Sequence, residues 1–321
     1  MLTLCTTAPL WASAAGMDRF LRLGTRGSPL ALAQARMAAT SLEVAHHWLD
    51  GRVEIVPITT SGDEIQDRPL AEIGGKALWT KELDQALLDG RTNASVHSMK
   101  DVESERPETL VIGAMLPRGD VRDRIIGAES IAVLPQGATV GTSSPRRAAQ
   151  LLRARPDLHI VPIRGNLDTR LAKVESGAVD ATLLAAAGLD RLGQSKVGKP
   201  IPLDVMLPAP GQAAIGLECR ANDNDIHTQL ARIDVHMTSA AVRAERAFAR
   251  ALGGSCHSPV AALGEVRAGK VRLRAEILSE DGREHVADEA RFNVGDDAAA
   301  AELAKAMLAK APESIRRLFP S

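Results

Sequence analysis

Twice in this chain a short apolar run gives way to a small polar turn and then to a Ser-Pro pair. Phe20–Thr25 precedes Ser28-Pro29, and Ala138–Gly141 precedes Ser144-Pro145. Serine is a favoured helix N-cap, and proline suits the first helical position, where an N–H would be unpaired anyway. Each stretch therefore predicts a strand feeding a helix. The alternation continues through a strand at Val53–Ile58, a helix with the apolar face Leu78, Leu83, Ala86 and Leu87, and strands at Ala94–Met99 and Leu110–Met115. Beyond about Asp120 it resumes with a helix to about Arg155, a strand at His159–Ile163, a helix at Leu167–Ser176 and a strand at Ala181–Ala186. Repeated strand–helix units call for mainly parallel sheets covered by helices, so the expected class is α/β with two lobes.

The stretch Lys199–Gly211 holds Pro200, Pro202, Pro208 and Pro210 and reads as a connection returning to the first lobe, where Ala213–Glu218 adds a strand. The last third differs. A helix at Thr238–Leu252 is followed by alternating runs, Val271–Leu278 and Glu284–Phe292, joined by Asp281-Gly282, and by a helix at about Ala298–Lys310. Asp-Gly between alternating runs marks a hairpin, so a small α+β domain with an antiparallel sheet is expected. The expected boundaries are 17–117 with 213–234 for the first lobe, 118–212 for the second and 235–321 for the third domain. Residues 1–16 lack the basic start of a signal peptide and are expected to be a disordered extension before Met17.

Composition narrows the function. Lys+Arg number 39 against 40 Asp+Glu, which disfavours general nucleic-acid or membrane-surface binding. Aromatic residues make up 2% and tyrosine is absent, so the core must be built from Leu, Ile, Val and Ala, and base stacking is disfavoured. The cysteines Cys5, Cys219 and Cys256 have no zinc-ligand or disulfide-framework spacing, so no metal is expected and a reducing, cytoplasmic setting is. No apolar run is long enough to span a bilayer. Gly74-Gly75-Lys76-Ala77 lacks the phosphate-loop spacing, and no dinucleotide fingerprint or hydrolase elbow is present.

Three constellations remain. Arg146, Arg147, Arg153, Arg155, Arg164, Arg170 and Lys173 crowd one stretch, opposed locally only by Asp157 and Asp168. Arg146-Arg147 open a helix behind Gly-Thr-Ser-Ser, where backbone N–H groups, hydroxyls and guanidinium groups can converge on an anion. Arg164 and Arg26 take similar positions at strand ends, where open α/β sheets bind ligands. Lys100-Asp101 pairs a cation with a carboxylate suited to proton transfer or to holding a cationic species, although a salt bridge or helix cap would use the same residues. Cys256, in Gly253-Gly254-Ser255-Cys256-His257, reads as an exposed nucleophile or attachment point or as an inert thiol.

Together these stretches resemble the porphobilinogen deaminase (hydroxymethylbilane synthase) family. The matching segments run in order: Leu21–Gln34 (LRLGTRGSPLALAQ), Gly74-Gly75-Lys76, Val96–Val102 (VHSMKDV), Gly141–Arg147 (GTSSPRR), Arg164–Arg170 (RGNLDTR), Ala187–Gly193, Pro208–Arg220 (PAPGQAAIGLECR) and Gly253–Pro259 (GGSCHSP). The resemblance implies two periplasmic-binding-protein-like lobes around a cleft and a third domain carrying the cofactor cysteine. It implies a transferase that deaminates and condenses four porphobilinogen molecules head to tail into hydroxymethylbilane for tetrapyrrole (porphyrin, heme) biosynthesis, releasing ammonia. The primer would be a dipyrromethane joined by a thioether to Cys256. By the same resemblance Asp101 and Lys100 are catalytic. Lys76, Ser98, Thr142, Ser144, Arg146, Arg147, Arg164, Arg170 and Gln212 would bind the cofactor, and Arg26, Ser28 and Arg191 the substrate carboxylates. A monomer without metal, membrane or nucleic-acid partner is implied. Glu103, Trp79 and Ala213 depart from the family's usual proline, phenylalanine and glycine, and Pro145 enters the Arg-Arg loop. The competing reading is a two-lobed protein that binds an organic anion without turnover.

Overall fold

The computed structural model describes residues 21–60, 80–253 and 258–319. The first lobe begins with β1 (Leu21–Arg26), α1 (Pro29–His46), β2 (Val53–Ile58), α2 (Lys81–Leu88), β3 (Ala94–Ser98) and β4 (Leu110–Met115). The second contains β5 (Asp123–Ile126), β6 (Thr139–Gly141), α3 (Pro145–Ala154), β7 (His159–Val161), α4 (Leu167–Glu175), β8 (Ala181–Ala185), α5 (Ala186–Arg191) and the short β9 (Lys199–Pro200). The chain then returns with β10 (Ile215–Arg220) and α6 (Asn224–Ala231). Sheet order is β2-β1-β3-β10-β4 in the first lobe and β7-β6-β8-β5-β9 in the second.

This is a two-lobed α/β arrangement in which the chain crosses between the lobes twice. The sheets are mixed rather than wholly parallel. β10 runs antiparallel to β3 and β4, and β5 antiparallel to β8 and β9. Each reversed strand is the first after a crossing, because the chain enters the new sheet from the opposite end. The Ser-Pro openings hold: Ser28 accepts a hydrogen bond from Ala31 N at 3.3 Å and Ser144 one from Arg147 N at 3.4 Å. The lobe cores are aliphatic, with Leu23, Leu42 and Leu217 in one and Val140, Leu151 and Leu183 in the other. Among the described residues no helix is long and apolar enough to cross a membrane.

The third domain contains α7 (His236–Ala251), an antiparallel sheet of β11 (Val260–Arg267), β12 (Lys270–Leu278) and β13 (His285–Asn293), then α8 (Asp297–Lys310) and α9 (Glu313–Arg316). It is thus a three-stranded meander between helices, not the lone hairpin read from the sequence. β11 escapes the alternation rule because it is rich in alanine and interrupted by Gly264. That glycine lets the strand approach α7: a Cβ there would lie 2.8 Å from Ala241 O.

Glu245 of α7, with no exposed surface, joins the three domains. Its carboxylate accepts from Arg118 Nη1 and Nη2 at 2.7 and 2.9 Å, from Gly211 N at 2.6 Å and from Gly264 N at 2.7 Å. Arg118 and Gly211 belong to the two crossing segments, so the third domain is bonded to both.

Candidate active site

β3 ends at Ser98, and Met99–Asp101 closes one 3₁₀ turn, so Asp101 lies in a turn just past the strand. Met99 is buried and anchors the turn, its N–H donating to Ala214 O at 3.1 Å. Gly216 of β10 packs against the Met99 sulfur so closely that any side chain there would displace it. Ser98 and the buried Gln34 of α1 exchange hydrogen bonds of 2.8 and 3.2 Å. Burial pulls the Lys100 ammonium below the ordinary lysine range. Asp101 and Asp123 oppose that shift, and Arg147 and Arg146 add to it.

The second lobe supplies the other wall. Thr142 Oγ1 accepts from Ser144 N at 3.1 Å, Ser144 caps α3, and Pro145 takes the first helical position. Pro145 therefore suits the helix start. Arg146 and Arg147 follow in the first turn and both are buried. Each donates an Nη2 hydrogen bond of 2.7 Å to Asp123, at the start of β5. Arg146 also reaches Leu207 O at 2.7 Å and Gln150 Oε1 at 3.0 Å, and Arg147 reaches Leu183 O at 2.9 Å. Gln212 donates to Asp123 Oδ1 at 3.0 Å and to Val121 O at 2.8 Å. Burial works against the Asp123 charge, but the two guanidinium groups hold its carboxyl well below the usual range.

Arg170, on α4, senses both Arg147 and Asp101, and burial lowers it to about 10. Lys100, Arg146, Arg147 and Arg170 thus gather around Asp101 and Asp123, and Glu276 also acts on Arg146. The Nε atoms of Arg146 and Arg147 are buried without a protein acceptor. A surplus of partly desolvated cations with spare donors fits a ligand bearing several carboxylates, as a dipyrromethane does.

The remaining predicted residues are spread around this centre. Arg26 ends β1, and Ser28 caps α1. Arg164 lies in the turn before Gly165, whose φ of +108° only glycine adopts readily. Arg170 Nε donates to Gly165 O at 3.1 Å. Arg191, lowered to about 10 by burial, donates to Ala213 O at 2.5 Å. Arg153 and Arg155 are turned elsewhere, Arg153 pairing with Glu276 at 2.5 Å and Arg155 with Asp157 at 2.7 Å. Cys219 lies inside β10, and burial pushes its thiol up to about 11. Lys76, Trp79 and Cys256 lie outside the described residues. Two participants were not singled out from the sequence. Gln34 ends a quoted segment, but nothing local marks it for Ser98. Asp123 had no local signal, since its arginine partners lie 23 and 24 residues away.

Residues 21–228 match a family described as porphobilinogen deaminase, dipyromethane cofactor binding domain, and residues 239–311 match porphobilinogen deaminase, C-terminal domain. The chain is 55% identical over 308 residues to a porphobilinogen deaminase of Sphingopyxis alaskensis, covering 94% of this chain and 97% of that relative. It is 48% identical to one of Paracoccus denitrificans, covering 91% of this chain and 95% of the relative. Among solved structures it is similar to the methionine binding protein MetQ, at 12% identity over 66% of this chain and 89% of that one, with a TM-score of 0.42.

Proposed function

Because the chain belongs to the porphobilinogen deaminase family, we propose that it condenses four porphobilinogen molecules into hydroxymethylbilane with release of ammonia, and that the turn at Asp101 faces the reacting carbon. When bound, the dipyrromethane supplies the primer to which pyrroles are added, and Cys256 would hold it by a thioether. Arg146, Arg147 and Arg170, with Lys76, Arg164, Ser98, Thr142, Ser144 and Gln212, would bind its carboxylates. Arg26, Ser28 and Arg191 would orient the incoming substrate by its acetate and propionate.

Asp101 does the chemical work in this reading. The protonated amino group of the aminomethyl arm leaves as ammonia when its C–N bond breaks, the methylene carbon stays on the ring, and positive charge develops on the substrate pyrrole. A fixed carboxylate beside that carbon stabilises the charge as it forms, and it can move a proton at its own oxygens. Lys100, beside it, offers a cation to a substrate carboxylate. The observation that supports the reading is the surplus of buried cations around Asp101 and Asp123. In this reading the chain is a soluble cytoplasmic enzyme that works as a monomer on a small anion, and its balanced charge disfavours a nucleic-acid or membrane-surface partner.

The test is product and mass together. The purified chain, given porphobilinogen, should form hydroxymethylbilane, detected as uroporphyrinogen-type product. Its intact mass should exceed the polypeptide by two linked pyrroles, and Cys256→Ser should lack that excess. An active wild-type protein of unmodified mass would refute the covalent primer. Tight anion binding without product would favour the binding-protein reading.

A further inference from the structure

The face of α7 nearest Asp101 carries Val242 and Arg246, one helical turn apart. Val242, with no exposed surface, shares an apolar cluster with Met99, Val102, Met115 and Ala214. It packs beneath the turn that ends in Asp101. Arg246 completes the contact. It donates from Nη1 to Val102 O at 3.0 Å and from Nη2 to Glu103 O at 2.5 Å, with Ser104 O at 3.5 Å. Its hydrogen bonds therefore go to the carbonyls immediately after Asp101.

The end of a helical turn leaves carbonyls unpaired and favours a cation. A guanidinium is planar, so two of its N–H groups fix the relative orientation of two successive peptide planes, which a lysine ammonium does not. Burial lowers Arg246 to about 10, so it remains charged at neutral pH. Its neighbour Glu245 locks α7 to both crossing segments and to β11. The helix cannot rotate without breaking those bonds. Between Asp101 and Arg106 the chain holds no proline. Without a ring to restrict φ, the order of the segment depends on side-chain grips. Besides Arg246, these are the bonds that Glu103 Oε2 accepts from Thr80 Oγ1 and Arg106 Nη1, both at 3.1 Å.

We propose that Arg246 is a positioning residue for Asp101: the third domain holds the catalytic turn by its outgoing carbonyls and so sets where the carboxylate points. The inference rests on the reading of Asp101 as the catalytic acid.

The experiment compares full-length Arg246→Met, Arg246→Lys and the exposed neighbour Arg250→Met with wild type. Intact mass counts molecules carrying the two-pyrrole adduct, thermal melting reports folding, and kcat is expressed per loaded molecule across pH. A displacement of about 1 Å can cost about 100-fold in rate. Arg246→Met should therefore lose about 10- to 100-fold in kcat while KM stays within about threefold, with a displaced acid limb in the pH profile. Arg246→Lys should fall between Met and wild type, and Arg250→Met should match wild type. If Arg246→Met keeps kcat per loaded molecule within about twofold and loses only melting temperature or loaded fraction, the role is structural and the proposal is overturned. If that variant does not fold, Arg246→Lys decides by the same criterion. If Asp101→Asn keeps near-normal kcat, the underlying reading falls and the inference with it.

Discussion

Two ion clusters flank the segment from Gln212 to Glu218, built from the same kinds of side chain with opposite charge balance. On the second-lobe side, Arg146, Arg147, Lys100 and Arg170 meet Asp123 and Asp101. On the first-lobe side, Arg106 answers three carboxylates. It bonds Glu218 at 2.8 Å, Asp84 at 2.5 Å and Glu103 at 3.1 Å, while His97 Nε2 lies 3.1 Å from Glu218. Burial raises Asp84 despite Arg106. Burial also opposes the charge on Glu218, but His97 and Arg106 bring its carboxyl down to about 2. The first-lobe cluster has no cation left over for a ligand. The second keeps positive charge and unpaired donors, which an anionic guest can satisfy. Density of arginine therefore does not mark the site; the charge left after internal pairing does.

The largest expected effect tests which acid reacts. Asp101→Asn should fold and keep its adduct yet lose about 10²–10⁴ in kcat, the span of general acid–base contributions. Steady-state turnover per loaded molecule checks it, and near-normal turnover would move catalysis off this turn. Next comes Asp123→Asn, which leaves two buried guanidinium groups without their carboxylate and should cost about 3–5 kcal/mol in urea unfolding. Added citrate should recover part of that melting temperature, whereas Glu218→Gln should gain nothing from it. Equal responses would erase the distinction between the clusters.

Acidification separates them more gently. Glu218 has its folded pKa lowered to about 2, so its stabilisation is present above the ordinary glutamate range and is lost as pH falls toward that value. Asp123 shifts in the same direction. Asp84 shifts upward, so its protonation in acid relieves a cost and offsets part of the first-lobe loss. The melting temperature should fall between about pH 5 and pH 3, and less steeply in Glu218→Gln. An unchanged slope in that variant would mean that Glu218 does not govern acid lability.

The smallest effect lies between the clusters. Ala213 has φ +68°, a conformation that favours glycine, and its carbonyl is held by Arg191 and Gly119. Ala213→Gly should stabilise by up to about 1 kcal/mol, because relief of left-handed strain exceeds the extra entropy of the unfolded glycine. Denaturant unfolding measures it, and a loss of stability would show that the Arg191 contact already absorbs the strain.

Much of the fold could be read from local chemistry. The Ser-Pro helix starts, the parallel strands β1, β2 and β3, and the β12–β13 hairpin all follow from spacing and turn residues. What was not legible has particular causes. β11 was hidden by alanines and by Gly264, which serves a helix contact rather than the strand. β5 and β10 reverse direction because of the crossings, and a strand's own residues carry no record of that. In the candidate site, Asp101, Arg146 and Arg147 stood out by their turns and caps, but Asp123 and Arg246 did not.

The amino-acid order alone determined where helices and strands begin, that the core is aliphatic, and which short segments bring acid and cation to turns and helix starts. Those properties rest on dihedral preference, capping and periodicity over a few neighbouring residues. Only the tertiary structure decided which arginines are spent on internal partners and which keep charge for a ligand. Arg146 finds Asp123 across 23 residues, Arg106 finds Glu218 across 112, and Arg246 finds Val102 across 144. Electrostatic pairing depends on distance through space and on loss of water, and the packed lobes set both.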